Sequence, residues 1–206
     1  MQERKVTFRS EDLSLEGLLA MPDKPAGAGV VCHPHPQYGG SMYNNVVEAI
    51  LEALWGLDYA TLRFNFRGVG MSEGAFAGGV GEAADAVAAV KFLAAQQPAA
   101  GSMLLAGYSF GAAVGLRAGL DLAEVGTLIA VAPAIGMADL SFVVGTEKRV
   151  ILVAGDRDPY CPVAQILSLH KQLTGPSAIK LIAGADHFFA GYEAELTHAI
   201  RDALGS

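Results

Sequence analysis

The sequence contains little cysteine, since Cys32 and Cys161 are the only two in 206 residues. They do not form a Cys-x-x-Cys pair, so the sequence offers neither a disulfide framework nor the ligand spacing of a zinc site. Long apolar runs are also missing, because no uninterrupted apolar segment reaches the roughly 18 residues that span a bilayer. The polar stretch over residues 1–17 lacks the apolar core of a secretory signal. We therefore expect a cytoplasmic protein with reduced thiols and no membrane partner.

Charged residues are scarce as well, at 17% of the chain, and 21 acidic against 14 basic residues give a formal net charge of −7. This charge argues against nucleic acid and anionic membrane surfaces as partners. Apolar residues make up 52% of the chain, which is enough for a core on both faces of a sheet. No internal repeat or low-complexity linker divides the sequence, so we expect one domain over residues 1–206.

Short apolar runs alternate with helical patterns along the chain. Residues 6–8 and 13–20 are typical of an antiparallel hairpin. Further strands are predicted at residues 29–32, 59–66, 103–106, 127–131, 149–154 and 178–182. Among the helices between them, Asn44 or Asn45 caps one and Pro98 stops another. This alternation predicts an α/β fold with a doubly wound, mostly parallel sheet flanked by helices.

Three side chains suited to nucleophilic catalysis follow predicted strands. Ser109 lies in GYSFG, an aspartate (Asp156 or Asp158) lies in GDRDPYCP, and His187 lies in AGADHFF. The carboxyl ends of parallel strands meet at one edge of a sheet, where ligands bind. We therefore expect the serine, an aspartate and the histidine to lie together at that edge.

The pattern Gly-x-Ser-x-Gly between a strand and a helix is typical of a nucleophile elbow, whose strained turn exposes the serine hydroxyl. A histidine takes the serine proton, and an ionised carboxylate fixes the imidazole tautomer. The alternative is a glycine-rich packing turn, in a chain that has 25 glycines. That alternative does not explain why an acid and a histidine also follow strands in the required order. We therefore interpret Ser109 as the nucleophile and His187 as the base.

Five stretches that together span most of the chain carry a family resemblance: HPHPQYGGSMYNN, FNFRGVGMSEG, GYSFG, GDRDP and GADHFF. They resemble the α/β-hydrolase fold, specifically its small lidless serine hydrolases, the dienelactone hydrolase-like esterases and uncharacterised relatives with an HPHP loop. The resemblance implies a minimal fold with no cap domain, in keeping with the short connection over residues 134–148. A Gly-x-x-Asp followed by proline selects Asp158 as the acid, which leaves Asp156 to cap the turn through its own backbone.

The resemblance also implies an oxyanion hole of backbone N–H groups, with Phe110 supplying one donor. In relatives with His-Gly-x after the first parallel strand, the x residue supplies the other. Here His33 and Pro34 occupy the His-Gly place, so His35 takes that role and Gln37 is the fallback. The alternation of His33 and His35 also permits a metal site, but the prolines between them and the lack of nearby carboxylates argue against it.

Aromatic residues near these loops are candidates for substrate binding. Tyr38, Tyr160 and Phe188, together with Phe142, would line an apolar acyl pocket, although aromatic residues are more often simple core. Arg67 is interpreted as structural, with its five donors tying its loop to the neighbouring elbow loop. The alternative for Arg67 is an anchor for a substrate carboxylate.

The implied reaction is hydrolysis of a small ester or thioester through an acyl-enzyme, with no metal or organic cofactor. Cys32 and Cys161 are interpreted as small apolar residues beside the site and not as nucleophiles. Peptidase, perhydrolase or acyltransferase chemistry with the same triad stays open, as does a non-catalytic binding module. An exposed apolar edge or helix would support a homodimer.

Overall fold

The protein has the α/β architecture that the sequence predicts. The computed structural model describes residues 1–96 and 103–205, and within these ranges eight strands form one sheet. The strands are β1 Glu3–Ser10, β2 Leu13–Ala20, β3 Gly27–Cys32, β4 Tyr59–Phe64, β5 Met103–Tyr108, β6 Val125–Val131, β7 Arg149–Gly155 and β8 Ser177–Ile182. The α-helices of the same ranges are α1 Asn45–Trp55, α2 Val80–Gln96, α3 Phe110–Leu120, α4 Val163–Gln172 and α5 Glu193–Gly205. The predicted helix stop at Pro98 lies outside the described residues.

The sheet is antiparallel at one end and parallel elsewhere, with the strand order β1-β2-β4-β3-β5-β6-β7-β8. The predicted hairpin of β1 and β2 is present, and β2 also pairs antiparallel with β4. All pairs from β4 to β8 are parallel. The carboxyl ends of the parallel strands therefore lie at one edge of the sheet, together with the loops that follow them.

Helices cover both faces of the sheet. The core on one face contains residues of α2, α3 and α4, and the core on the other contains residues of α1 and α5. Neighbouring strand residues alternate between these cores: Val30 and Leu105 belong to the first, and Val31 and Leu104 to the second. Both sides of each central strand are thus buried, which explains why the strands are continuous apolar runs.

Helix α1 begins beside the candidate site. Asn44 is the residue that caps it, because its side-chain oxygen accepts a hydrogen bond from the Val46 N–H at 2.9 Å. The Thr197 hydroxyl of α5 donates to the Ala49 carbonyl of α1, which joins the two helices. Asn45, the alternative cap, is left free for a contact described below.

The connection between β6 and β7 is short. Over residues 132–148, all of which the structure describes, its helical content is one 3-10 turn at Ser141–Val143. This chain therefore has no cap domain there, as expected. Within the described ranges, no helix is both long and apolar enough to cross a membrane.

Candidate active site

Ser109 lies on a strained turn between β5 and α3. Its backbone has φ 54° and ψ −116°, a region that non-glycine residues rarely adopt. The Ser109 N–H donates to the Val131 carbonyl at the end of β6, at 2.9 Å, which fixes the turn to the neighbouring strand. Helix α3 begins at the next residue, Phe110, so the positive end of the helix lies at the serine.

The two glycines that flank this turn are required by close backbone contacts. A Cβ atom on Gly107 would lie 2.2 Å from the Gly111 carbonyl oxygen, and one on Gly111 would lie 2.3 Å from the His33 carbonyl oxygen. Any side chain at either position would force strand and helix apart. The turn is thus tightly packed, and it also holds the serine in the strained geometry of a nucleophile elbow.

Ser109, His187 and Asp158 lie in one hydrogen-bonded line. The distance from His187 Nε2 to Ser109 Oγ is 3.0 Å, and that from His187 Nδ1 to Asp158 Oδ2 is 2.7 Å. Both His187 and Asp158 are buried. With the imidazole proton on Nδ1, His187 donates to the carboxylate and presents the Nε2 lone pair to the serine hydroxyl. The structure therefore brings together the three residues that the sequence indicated.

The Asp158 oxygen that does not face His187 is held by hydrogen bonds from its own loop. Its Oδ1 atom accepts the backbone N–H groups of Tyr160, at 2.7 Å, and Cys161, at 2.9 Å, which leaves Oδ2 for His187. Among the described residues, no hydrogen bond joins Asp156 to His187, whose Nδ1 faces Asp158. Asp156 accepts the Gly184 N–H at 2.7 Å, so the prediction that it caps the turn through its own backbone was wrong. Asp156 instead joins the loops after β7 and β8.

The loop that contains His187 is held by hydrogen bonds from Tyr108 and Asn45, neither of which was predicted as a site residue. The Tyr108 hydroxyl donates to the His187 carbonyl at 2.8 Å, and Asn45 Nδ2 donates to the Phe188 carbonyl at 3.1 Å. Burial raises the pKa of the Tyr108 phenol, which therefore stays a donor. Asn45 also donates to Glu193 at 2.9 Å, and this hydrogen bond lowers the pKa of the carboxyl. The only sequence signals were the tyrosine inside GYSFG and the second asparagine of the NN pair.

The expected oxyanion donors lie at the junction of the elbow and the loop after β3. The rings of His35 and Phe110 have centroids 4.7 Å apart. Within the described residues, neither the Phe110 N–H nor the His35 N–H donates to a protein acceptor. The Gln37 N–H, the fallback, donates to His35 Nδ1 at 3.2 Å. Phe110 and His35 are thus available as donors, whereas Gln37 is engaged.

His33 fastens the loop after β3 to the loop after β4. Its Nδ1 lies 2.6 Å from the Pro34 carbonyl, and its Nε2 accepts the Phe66 N–H at 3.1 Å. Burial lowers the His33 pKa from 6.5 to about 4, so the ring is neutral at neutral pH. Because both ring nitrogens are engaged, His33 is unsuited to a metal. Among residues 1–96 and 103–205 no group of three potential ligands could hold a metal ion.

Arg67 is structural, but its partner is not the elbow loop. Its guanidinium forms a buried ion pair with Asp85 of α2 at 2.8 Å and a second contact with Glu11 at 3.1 Å. Asp85 also accepts the Ser10 hydroxyl at 2.7 Å. The predicted tie to the elbow loop was therefore wrong. With two carboxylates already at its guanidinium, Arg67 is not placed to anchor a substrate carboxylate.

Both cysteines are fully buried, free thiols. Burial raises the pKa of the Cys161 thiol to about 12, and it raises that of Cys32 far above its usual range. Neither thiol is therefore ionised near neutral pH, as a nucleophile would need to be. This agrees with their interpretation as small apolar residues.

The four aromatic residues that the sequence predicted for substrate binding lie in three places. The rings of Tyr160 and Phe188 lie 4.9 and 5.6 Å from the His187 ring, measured between centroids. Tyr38 packs on His35 at 4.7 Å and is therefore on the side of the expected oxyanion donors. Phe142 lies under the Arg117 guanidinium at 4.0 Å, a contact with helix α3.

A mostly parallel sheet, a strained serine elbow and the absence of a cap over residues 132–148 define an α/β hydrolase without a lid. The sequence comparison agrees, since residues 24–183 match the family Hydrolase_4, described as serine aminopeptidase, S33. The chain belongs to this family.

Similar proteins cover nearly the whole chain. An uncharacterized protein of Rickettsia prowazekii (strain Madrid E) is 34% identical over 209 residues, which cover 97% of this chain and 88% of that protein. An α/β serine hydrolase homologue from Coxiella burnetii has a TM-score of 0.91 and 32% identity, covering 99% of this chain and 98% of that one. A serine hydrolase without a lid from Xanthomonas campestris has a TM-score of 0.90 and 31% identity, covering 100% and 94%.

Proposed function

We propose that this protein hydrolyses a small ester or thioester, with Ser109 as nucleophile, His187 as general base and Asp158 as the residue that orients the base. The observation that carries the proposal is the hydrogen-bonded line from Ser109 Oγ through His187 to Asp158, with distances of 3.0 and 2.7 Å. Membership of a serine hydrolase family supports it.

In the acylation step, Ser109 Oγ attacks the substrate carbonyl while His187 Nε2 removes its proton. The imidazolium that forms is stabilised by Asp158, whose second oxygen is already held by two backbone N–H groups. The bond from the carbonyl carbon to the leaving group then breaks, and Nε2 returns the proton to that group. The products of this step are the free alcohol or thiol and an acyl-Ser109 ester.

In the deacylation step, water replaces the alcohol. His187 takes a proton from water, the hydroxide attacks the acyl carbon, and the proton returns to Ser109 Oγ as the acid leaves. The negative charge on the carbonyl oxygen in both steps is held by the backbone N–H groups of Phe110 and His35. The proposed cycle needs no metal or organic cofactor.

The open edge of the sheet favours small acyl groups. No cap covers the elbow over residues 132–148, so a long acyl chain would lie in water and not in a buried tunnel. The free energy gained by burying each additional methylene, about 0.8 kcal/mol, is then unavailable to the substrate. We expect activity to fall as the acyl chain lengthens.

Peptide-bond hydrolysis is the second candidate, because the family is described as serine aminopeptidase. The same nucleophile, base and oxyanion donors serve both reactions, and the fold does not choose between them. The choice depends on the leaving group, so matched ester and amide substrates separate the two candidates.

The test is steady-state hydrolysis of p-nitrophenyl acetate, butyrate, octanoate and decanoate, beside aminoacyl p-nitroanilides. We expect the highest kcat/KM for acetate or butyrate, and a loss of at least about 10³-fold in a folded Ser109→Ala variant. Thermal unfolding of the variant serves as the control for its fold. Faster turnover of the anilides would replace the esterase proposal by a peptidase, and a preference for decanoate would contradict the open site.

Cytoplasmic location, a single domain over residues 1–206 and homodimer formation stay predictions from the sequence. So do acyltransferase and perhydrolase chemistry, which differ from hydrolysis only in the molecule that accepts the acyl group.

A further inference from the structure

The leaving group of the substrate has to lie beside His187. Nε2 protonates the leaving oxygen as the bond to the acyl carbon breaks, so that oxygen comes within hydrogen-bond reach of the imidazole. The carbonyl oxygen points the other way, towards the backbone N–H groups of Phe110 and His35. Whatever is attached to the leaving oxygen therefore contacts the side chains around the imidazole.

Three aromatic rings lie near the imidazole: the buried Tyr108 ring, 5.3 Å away between centroids, and the half-exposed rings of Tyr160 and Phe188. The Tyr160 ring lies 4.9 Å from the His187 ring at an interplanar angle of 59°, and the Phe188 ring lies 5.6 Å away at 84°. Tyr160 is 42% exposed and Phe188 is 59% exposed, although both are large apolar side chains. Aromatic surface left open next to a reacting group is suited to bind an apolar part of the substrate.

The backbone beneath both rings is fixed. The Tyr160 N–H donates to Asp158 at 2.7 Å, and the Phe188 N–H donates to Asp186 at 2.9 Å. The Phe188 carbonyl accepts from Asn45 at 3.1 Å. Because the backbone that bears both rings is already held by hydrogen bonds, a ligand that packs against the rings loses little binding free energy to ordering of the chain.

We propose that Tyr160 and Phe188 form a leaving-group subsite for a neutral aromatic alcohol, so that the preferred substrates are aryl-bearing esters with the ring on the alcohol side. This inference rests on the proposed function, and it assigns the two rings to the leaving group in place of the acyl pocket expected from the sequence. The subsite is separate from Tyr38, whose ring packs on His35 beside the expected oxyanion donors. The nearby carboxylates of Asp158 and Asp186 would repel an alcohol that bears a negative charge of its own, such as a carboxylate or phosphate.

The test compares two isomeric esters, benzyl acetate and methyl phenylacetate. They contain the same atoms but place the phenyl ring on the alcohol side and on the acyl side respectively. Ethyl acetate and cyclohexylmethyl acetate complete the set, because they form the same acetyl-enzyme as benzyl acetate. The kcat/KM values then report acylation, the step in which the leaving group is bound.

We expect kcat/KM for benzyl acetate to exceed that for ethyl acetate and for methyl phenylacetate by about tenfold, with cyclohexylmethyl acetate between them. Tyr160→Leu and Phe188→Leu should each reduce the ratio of benzyl to ethyl acetate about threefold. Tyr43→Leu is the matched control, because Tyr43 is an exposed tyrosine whose ring lies 5.4 Å from the Arg63 guanidinium. Its ratio should equal that of the wild type.

Three outcomes would overturn the inference, and they are distinguishable. Equal or faster turnover of methyl phenylacetate places the aromatic group on the acyl side and refutes the subsite alone. A benzyl preference that survives both leucine variants assigns the preference to other residues. Failure to hydrolyse every ester of this set and every p-nitrophenyl ester refutes the proposed function, and the subsite with it.

Discussion

At the scale of single residues, Asp158 is distinguished from Asp156 by its partners, although the two are separated by one residue. Asp158 has one oxygen on His187 and the other on two backbone N–H groups. Asp156 reaches across to Gly184 in the next loop. Two aspartates in the same loop thus have separate tasks, one for the site and one for the loop structure.

Replacing Asp158 by Asn should disable the base without disturbing the loop. The N–H groups of Tyr160 and Cys161 hold an oxygen at the Oδ1 position, so the amide nitrogen has to face His187. Nδ1 must then accept, the proton moves to Nε2, and the lone pair opposite Ser109 is lost. We expect kcat/KM for an acetate ester to fall about 10³–10⁴-fold. In Asp156→Asn, the matched control, activity should stay near the wild-type value, and equal losses in both variants would contradict these roles.

At the scale of secondary-structure elements, the site depends on contacts between the start of α1 and the loop after β8. Asn45 donates to the Phe188 carbonyl and to Glu193, and the second oxygen of Glu193 accepts the Gly191 N–H at 2.8 Å. The middle of the loop after β8, at Phe188, is therefore tied to α1, and its C-terminal end, at Gly191, is tied to the first residue of α5. This arrangement holds the imidazole in place relative to Ser109.

Asn45→Ala should loosen this loop and lower kcat about fivefold to tenfold, with little change in KM, because the misplaced imidazole affects the chemical step. Asn44→Ala is the control beside it, since it removes only the cap of α1. That variant should lose about 1 kcal/mol of stability and keep its kcat. Kinetics and thermal unfolding of both variants check the prediction, and wild-type kcat in Asn45→Ala would contradict it.

The strands and helices were predictable from the sequence, but the hydrogen bonds that join them were not. Apolar runs and turn residues predicted the strands and helices, and the loops after strands indicated Ser109 and His187. Selecting Asp158 over Asp156 needed the family resemblance. The hydrogen bonds of Asn45 and Tyr108 join residues 143 and 79 positions apart, a pairing that no local pattern encodes. The partner of Arg67 was missed for the same reason, because the guanidinium could satisfy its donors on several nearby loops.

At the scale of the whole molecule, the parallel strands place the loops after β3, β4, β5, β7 and β8 at one edge of the sheet. Buried polar groups then fix these loops to one another, and His33 is the clearest example, since it joins the loop after β3 to Phe66. The order of the antiparallel strands was not predictable from the sequence, because β2 pairs with β4 through backbone groups that any strand offers.

The free energy of unfolding should depend on pH because His33 is neutral in the folded protein. In the folded protein the His33 pKa is about 4, against an ordinary value of 6.5. The unfolded chain therefore binds a proton between these values that the folded protein does not, and the free energy of unfolding falls as pH decreases from 6.5 to 4. The full loss for a shift of this size is about 3 kcal/mol, and it is absent above pH 6.5.

Urea unfolding at several pH values between 7 and 4 measures this dependence. His33→Gln removes the titrating group, so its pH slope over this interval should be smaller by up to one proton than the slope of the wild type. Carboxylates titrate in both proteins and cancel in the comparison. Identical slopes would show that His33 takes up its proton equally well in the folded state.

The central claim, an activated nucleophile at Ser109, is tested most directly by intact-mass analysis after incubation with a fluorophosphonate, with the adduct mapped by peptide. We predict one adduct on Ser109, none in Ser109→Ala, and much slower labelling in His187→Ala, because the hydroxyl reacts only when Nε2 removes its proton. No adduct on the folded wild-type protein would contradict the account. The chain would then be a binding protein that retains the geometry of a hydrolase without its reactivity.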